Sequence, residues 1–317
     1  MRVLIIKTSS MGDVVHALPA VSDMAQAIPG IQIDWLVEKS FAAMPQQHRA
    51  VQRVIPLQWR KWRKSLRAPE TQAALRAWRA EMRLHRYDLI IDLQGLLKSA
   101  TFACFAHGPR SGYDWHSIRE PLASLFYSRK AHVDRQLHAV DRCRQLTAQL
   151  LNYALPQTPP DFGLKASADA WRPGFRPYAA LIPCASRPEK LWPQDNWIAI
   201  GQHLRAQGLD VAVMWGSPAE EQRAKDIAKA IEGAVPPFLS VAQVGDTLAQ
   251  AKLVVGLDTG MTHLAAAHGR PTLGIYCDHE PGLAGVTGPG QVISLGGKGQ
   301  VPTLEAVLQA IQTLHPI

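Results

Sequence analysis

Met1-Arg2-Val3-Leu4-Ile5-Ile6-Lys7-Thr8-Ser9-Ser10-Met11-Gly12-Asp13-Val14 opens the chain. The apolar run from Val3 to Ile6 gives way to a polar loop and then to a helical pattern. A signal h-region needs about 7–15 apolar residues, so this run is too short to be one. It reads as a first, buried β-strand that feeds a helix. The cytoplasm is the compartment this implies.

The same rhythm continues outward. Strands are expected at Val3–Lys7, Ile33–Val37, Arg53–Leu57 and Leu89–Leu93, with helices near 13–28, 69–86, 95–107 and 134–151. Strands that alternate with helices argue for a parallel sheet covered on both faces. Pro156, Pro159, Pro160, Pro173 and Pro177 then interrupt the pattern. Proline stops helices and stiffens a connection. The domain boundary is placed here, giving domains 1–160 and 161–317. The rhythm restarts with strands at Tyr178–Pro183, Asp210–Trp215, Leu253–Leu257 and Thr272–Tyr276. Helices are expected near 194–207, 218–232, 242–251, 260–267 and 303–314. Two doubly wound α/β domains result, and ligands in such sheets bind at the carboxyl ends of strands. A cleft between the domains is the expected active site.

Composition narrows the class. The 317 residues are 47% hydrophobic and 19% charged, a globular balance. No uninterrupted apolar run approaches the ~20 residues a spanning helix needs. Cys104, Cys143, Cys184 and Cys277 form no close pair, and His263 and His268 are five apart, so no zinc spacing exists and no bound metal is expected. Through Leu155 there are 22 Lys and Arg against 12 Asp and Glu, whereas the remainder has 12 against 14. The amino-terminal half therefore carries the whole basic excess, which suits an anionic partner.

Two loops carry candidate chemistry. Ser10-Met11-Gly12-Asp13 follows the first strand, and a carboxylate there can take a proton from an acceptor hydroxyl. The same residues also fit a capping box, in which Asp13 only finishes the helix. Asp258-Thr259-Gly260-Met261-Thr262-His263 follows the buried strand Leu253–Leu257. Its helix amides suit a diphosphate and Asp258 suits sugar hydroxyls, while an ordinary helix cap is the plain alternative. His263 alone reads as a packed histidine. Lys190, just after a strand, can neutralise a phosphate or simply lie in solvent. Glu220 can hold ribose hydroxyls or only favour a helix start. Gly290 to Gly299 fails as a P-loop, because Gly299 stands where Ser or Thr is required.

Trp59-Arg60-Lys61-Trp62-Arg63-Lys64-Ser65-Leu66-Arg67 packs five cations and two tryptophans into nine residues. Trp59 and Trp62 would share a helix face. Basic residues with tryptophan suit an anionic membrane interface or a phosphorylated lipid head group; a merely solvated face is the plain alternative, and the exposed tryptophans it would imply argue against it. Stacking on bases is the rival reading, but no nucleic-acid motif accompanies it.

Taken together the motifs resemble the family of bacterial lipopolysaccharide heptosyltransferases, over nearly the whole chain. The first loop carries the resemblance with Asp92-Leu93-Gln94-Gly95-Leu96-Leu97-Lys98-Ser99 and Arg119-Glu120-Pro121-Leu122-Ala123-Ser124-Leu125-Phe126-Tyr127. Lys190-Leu191-Trp192-Pro193, Trp215-Gly216 with Glu220-Glu221, and Asp258-Thr259-Gly260 with His263 complete it. The resemblance implies a GT-B fold, two Rossmann-like domains facing a central cleft. It implies ADP-heptose as donor, a substrate rather than a cofactor, and Kdo-lipid A as acceptor. Transfer would be inverting and metal-independent, at the cytoplasmic face of the inner membrane, with no nucleic acid involved.

On that pattern Asp13 looks like the general base. Lys190 would meet the diphosphate, Glu220 the ribose and Asp258 the heptose, with Thr259, Gly260 and His263 around phosphates and sugar. Ser10, Gly12, Arg60, Lys61, Arg63, Lys64, Gln94, Lys98 and Arg119 would engage the acceptor. Where the family often has two threonines before its lysine, this chain has Ala185-Ser186, which leaves Ser186 as the single hydroxyl. Leu239 stands where a methionine is common near the adenine, a nearly volume-conserving exchange. The alternatives are transfer at a later core step or of another sugar, or a non-catalytic nucleotide-sugar or nucleic-acid binder.

Overall fold

The computed structural model describes residues 1–315, which divide after Leu164 into two compact units, 1–164 and 165–315. The junction falls four residues after the expected one. The segment before it is tied into the first unit: the Arg49 N–H donates to the Gly163 carbonyl (3.0 Å), and the Asp161 carboxylate pairs with the Arg49 guanidinium.

In unit 1 the elements run β1 (Arg2–Ile6), α1 (Met11–Ala27), β2 (Gln32–Glu38), α2 (Ala43–Gln47), β3 (Val51–Leu57), α3 (Trp59–Trp62), α4 (Pro69–Met82), β4 (Leu89–Asp92), α5 (Leu97–Ala103), β5 (Arg110–Tyr113), β6 (Arg129–Ala131) and α6 (Ala139–Leu151). A 3₁₀ turn, Pro121–Phe126, precedes β6. The six strands are all parallel, in the order β3-β2-β1-β4-β5-β6. Val3, Leu4, Ile5 and Ile6 are fully buried, as a central parallel strand covered on both faces requires.

Unit 2 runs β7 (Tyr178–Ile182), α7 (Gln194–Ala206), β8 (Asp210–Val213), α8 (Pro218–Ala230), α9 (Val241–Gln250), β9 (Leu253–Leu257), α10 (Gly260–Ala267), β10 (Thr272–Tyr276), α11 (Pro281–Ala284), β11 (Val292–Gly296) and α12 (Leu304–Leu314). Its five parallel strands are ordered β11-β10-β9-β7-β8. Each sheet has its own core, one around Leu4, Trp78 and Phe102, the other around Leu181, Trp197 and Val255.

Strand order decides where ligands can sit. In unit 1 the chain builds outward from β1 in one direction through β2 and in the other through β4. In unit 2 it does so from β7, through β8 and β9. The loops after β1 and β4, and after β7 and β9, therefore diverge and leave a crevice at the carboxyl edge of each sheet.

The sequence reading missed β5, β6 and β11, and it extended α5 over 95–107 where the helix covers only Leu97–Ala103. It also misjudged the tryptophans. Trp62 is buried, edge-on to Trp78 with centroids 6.1 Å apart, and Trp59 packs edge-on against Phe102 at 5.5 Å. Their shared face is the inner one, with Trp62 buried and Trp59 half-buried, and the cations, Ser65 and Leu66 of this stretch face solvent. Among the described residues no helix is long and apolar enough to cross a membrane.

Candidate active site

The crevice of unit 1 is built on the loop after β1. Asp13, in the first turn of α1, reaches back to Ser10: its Oδ2 accepts from the Ser10 N–H (2.7 Å) and from the Ser10 hydroxyl (2.8 Å). The capping geometry is thus real, but it uses only one carboxylate oxygen. Oδ1 faces the buried Lys7, 3.8 Å away, and the carboxylate is 36% exposed. Burial alone would raise the Asp13 pKa. The Lys7 charge, both Ser10 hydrogen bonds and the Arg119 charge outweigh it, so the net shift is downward. Asp13 is held as an anion with one oxygen open.

Gln94 and Asp92 shape the floor. The Gln94 Oε1 accepts from the Thr8 N–H (2.9 Å) and the Ser9 N–H (3.2 Å), and Lys7 donates to the Leu93 carbonyl (3.0 Å). The loops after β1 and β4 are therefore stapled together. Asp92, fully interior, accepts from the N–H groups of Gln94 (2.8 Å) and Gly95 (3.1 Å) and from the hydroxyls of Ser99 (2.7 Å) and Tyr127 (2.7 Å). Burial raises its pKa, and those four donors offset only part of the rise. Gly95 sits at φ +67°, a turn that glycine takes without steric cost.

The cations gather beside this floor. Glu38, at the carboxyl end of β2, accepts from the Arg60 N–H (3.1 Å). Burial raises its pKa, and the charges of Arg60, Lys98 and Arg63 pull it back in part. Arg60, Arg63 and Lys98 thus converge on one buried acid, and Arg119 is close enough to act on Asp13. Lys61 and Lys64 are exposed on the same short segment, and Ser10 and Gly12 border the open side of Asp13.

In unit 2 the loops after β7 and β9 meet through Lys190. Its ammonium donates to the Asp258 Oδ2 (2.5 Å) and to the Asp258 carbonyl (3.3 Å). His263 Nε2 lies 3.4 Å from the other carboxylate oxygen. Burial would raise the Asp258 pKa, but His263 and Lys190 drive it far below the ordinary carboxylate range. Both plain alternatives therefore fail. Lys190 is only 17% exposed and paired, and Asp258 is not a cap. Thr259 occupies the N-cap of α10 without a side-chain cap bond. Three donors sit on a lysine ammonium, and Asp258 occupies two, so one remains for an incoming anion.

The other residues expected on the donor side lie on several loops of unit 2. Ser186 is exposed in the Lys190 loop, and Gly260 opens α10. Glu220 sits in the first turn of α8 and accepts from the Gly216 N–H (2.9 Å), so it shapes the turn after β8. Leu239 is half-buried against the core formed by Tyr178, Met214 and Val244. Next to it in sequence the 66%-exposed Phe238 stands edge-on to Trp215, centroids 5.6 Å apart.

Several supporting residues carry no motif signal. Arg223 donates to the Pro183 (3.3 Å) and Trp192 (2.9 Å) carbonyls and so clamps both ends of the Lys190 loop. Arg187, in that loop, pairs with Asp278 after β10 (2.5 Å). Glu38, Lys7 and Asp92 do comparable work in unit 1. Lys7 and Asp92 stand within the quoted motifs, whereas Glu38 is signalled only by its place at the carboxyl edge of a strand.

Comparison with known proteins gives the family. The family model for glycosyltransferase family 9 (heptosyltransferase) matches residues 75–310. The lipopolysaccharide heptosyltransferase 1 of Escherichia coli K12 is 43% identical over 99% of this chain and 100% of its own. That of Pseudomonas aeruginosa is 45% identical over 92% and 83%. The solved structure of E. coli heptosyltransferase WaaC with ADP superposes with a TM-score of 0.91 at 43% identity, over 99% of this chain and 100% of that one. The same enzyme with ADP-2-deoxy-2-fluoro heptose gives 0.88 at 41%. A full-length relationship at this identity, together with a family match over most of the chain, leaves one assignment: the chain belongs to glycosyltransferase family 9, the heptosyltransferases.

Proposed function

We propose that the chain moves heptose from ADP-heptose to the Kdo of Kdo-lipid A, the inner-core step of lipopolysaccharide assembly, at the cytoplasmic face of the inner membrane. Unit 2 takes the donor. The free N–H of Lys190 and the amide end of α10 receive the diphosphate, Ser186 adds a hydroxyl, and Glu220 holds the ribose. Leu239 lies against the adenine. Asp258, Thr259 and His263 meet the heptose. Unit 1 takes the acceptor, with Arg60, Lys61, Arg63, Lys64, Gln94, Lys98, Ser10, Gly12 and Arg119 around its acid groups.

Asp13 is the base in this reading. Its lowered pKa keeps it ionised at neutral pH, the state in which a base must start, and its Oδ1 is the open acceptor. The acceptor hydroxyl attacks the anomeric carbon as its proton passes to Asp13, and the C–O bond to ADP breaks on the opposite face, inverting the centre. Charge that develops on the leaving diphosphate is met by Lys190 and fixed amides, which need no reorganisation at that moment. No metal is required for this step.

The observation that carries the proposal is the partly exposed Asp13 carboxylate, whose Oδ1 accepts no hydrogen bond among the described residues and which Lys7 and Arg119 help to hold ionised. The test is ADP release from ADP-heptose with and without Kdo-lipid A, in the presence of EDTA. Acceptor-dependent release, undiminished by EDTA, with product mass increased by one heptose is the expected result. Release that needs a different acceptor would overturn the assigned step, and loss on chelation would overturn the metal-free mechanism.

A further inference from the structure

Trp62 is buried and Trp59 half-buried, which leaves Leu66 as the single exposed large apolar side chain of the basic stretch, a weak hold on a lipid surface. Another segment is shaped for that task. The 3₁₀ turn Pro121–Phe126 lies between the carboxyl end of β5 and the start of β6. Ala123 and Ser124 face inward, whereas Leu122 is 57% and Leu125 66% exposed. Residues three apart eclipse in a 3₁₀ helix, so the two leucines form one outward apolar knuckle. Leu97, 40% exposed, opens α5 beside it, tied to the turn by its N–H bond to the Glu120 carboxylate (2.7 Å). Cations flank the knuckle on both sides: Arg119 before it, Arg129 and Lys130 after it, all exposed.

The knuckle is also held rigidly. The Glu120 N–H donates to the Gly95 carbonyl (3.2 Å), and Tyr127 at the far end donates to the buried Asp92 (2.7 Å). An apolar tip costs exposure to water, and a rigid mount keeps it there permanently.

We propose that Leu122, Leu125 and Leu97 dock unit 1 on the surface of an anionic lipid bilayer, with Arg129 and Lys130 at the head-group phosphates. Apolar tips ringed by cations match such an interface on both counts, acyl chains beneath and negative charge around. Three leucines cover too little for a stable protein interface, which needs about 1,000 Å² or more. Docking here would bring the crevice around Asp13 to the depth at which a lipid-linked sugar presents itself. In that purpose the inference rests on the acceptor reading above.

The test is co-sedimentation of the full chain with phosphatidylglycerol-containing and with pure phosphatidylcholine vesicles. Leu122→Ser/Leu125→Ser is compared with Arg129→Ala/Lys130→Ala. All four side chains are exposed, so folding is preserved, and circular dichroism checks this. Wild type is expected to bind the anionic vesicles only. The leucine pair should weaken binding about tenfold or more, and the cation pair should weaken it and flatten its salt dependence. Equal binding by the leucine variant and wild type overturns the proposal. So does a concentration-dependent dimer that the leucine variant abolishes without any vesicle binding, since the occupant would then be a second copy. Transfer to a soluble, deacylated acceptor separates the two readings. If the leucine variant loses that transfer, the knuckle belongs to the acceptor site and docking is wrong. If wild type binds vesicles yet never transfers, the acceptor reading fails while docking stands.

Discussion

At the scale of single residues, the two oxygens of Asp13 divide between the helix cap, which Oδ2 makes with Ser10, and the proposed role of base, which falls to Oδ1. Replacing it with alanine would remove both, and lost activity could then reflect a loosened helix. Asp13→Asn separates them, because the amide oxygen still accepts from Ser10 but cannot take a proton. The expected outcome is a fall in transfer of about 10²–10⁴-fold with a melting temperature near that of wild type and unchanged ADP affinity. Asp258 gives the complementary case. Its folded pKa is depressed, so its pairing contributes stability above the ordinary carboxylate value of about 3.9, and loses it as pH falls through the lower folded value. Asp258→Asn is expected to lose about 1–3 kcal/mol at pH 7 and to show less further loss than wild type on acidification below pH 4, read by denaturant titration across pH. That Asp258 serves a lysine rather than a helix end was hidden in the sequence, because Lys190 is distant along the chain. Asp13 was legible, since strand, loop and helix start are contiguous around it.

At the scale of elements, the strands read most clearly where they are most enclosed. β1, β4, β7 and β9 are central and buried on both faces, so they are short apolar runs. β5 (Arg-Ser-Gly-Tyr) and β6 (Arg-Lys-Ala) lie toward one edge and carry polar residues, so no period announces them. The tryptophans of α3 show the same limit from the other side. Their spacing gives a shared face but not the direction it points; the partners Trp78 and Phe102 settle that from other elements. Tyr127 illustrates how such distant partners fix a loop. Its hydroxyl is one of four donors to Asp92, and burial with that acid raises its own pKa. Tyr127→Phe leaves a buried carboxylate one donor short, at a cost of about 1–3 kcal/mol. Faster amide exchange at Gln94 and Gly95 is the expected local signature, and exchange no faster than wild type would show that the remaining three donors suffice.

At the scale of the whole chain, two sheets with separate cores divide the labour. Unit 1 holds 22 Lys and Arg against 13 Asp and Glu, so the basic excess belongs to the half proposed to meet the acceptor. Saturating ADP is expected to slow amide exchange in β7, β9 and the start of α10 and to leave β1 through β6 unchanged, measured by exchange mass spectrometry. Equal protection in both units would mean that nucleotide is bound through both. The common direction of the strands has one more consequence. Every loop that bears chemistry leaves a carboxyl edge, so the connections at the amino edges carry none. The turn at Gly208, with φ +84° and open space where a side chain would be, is one of these. Such turns are where the gene can be lengthened, labelled or cut and rejoined in a new order, while the carboxyl edges proposed to hold the substrates stay as they are.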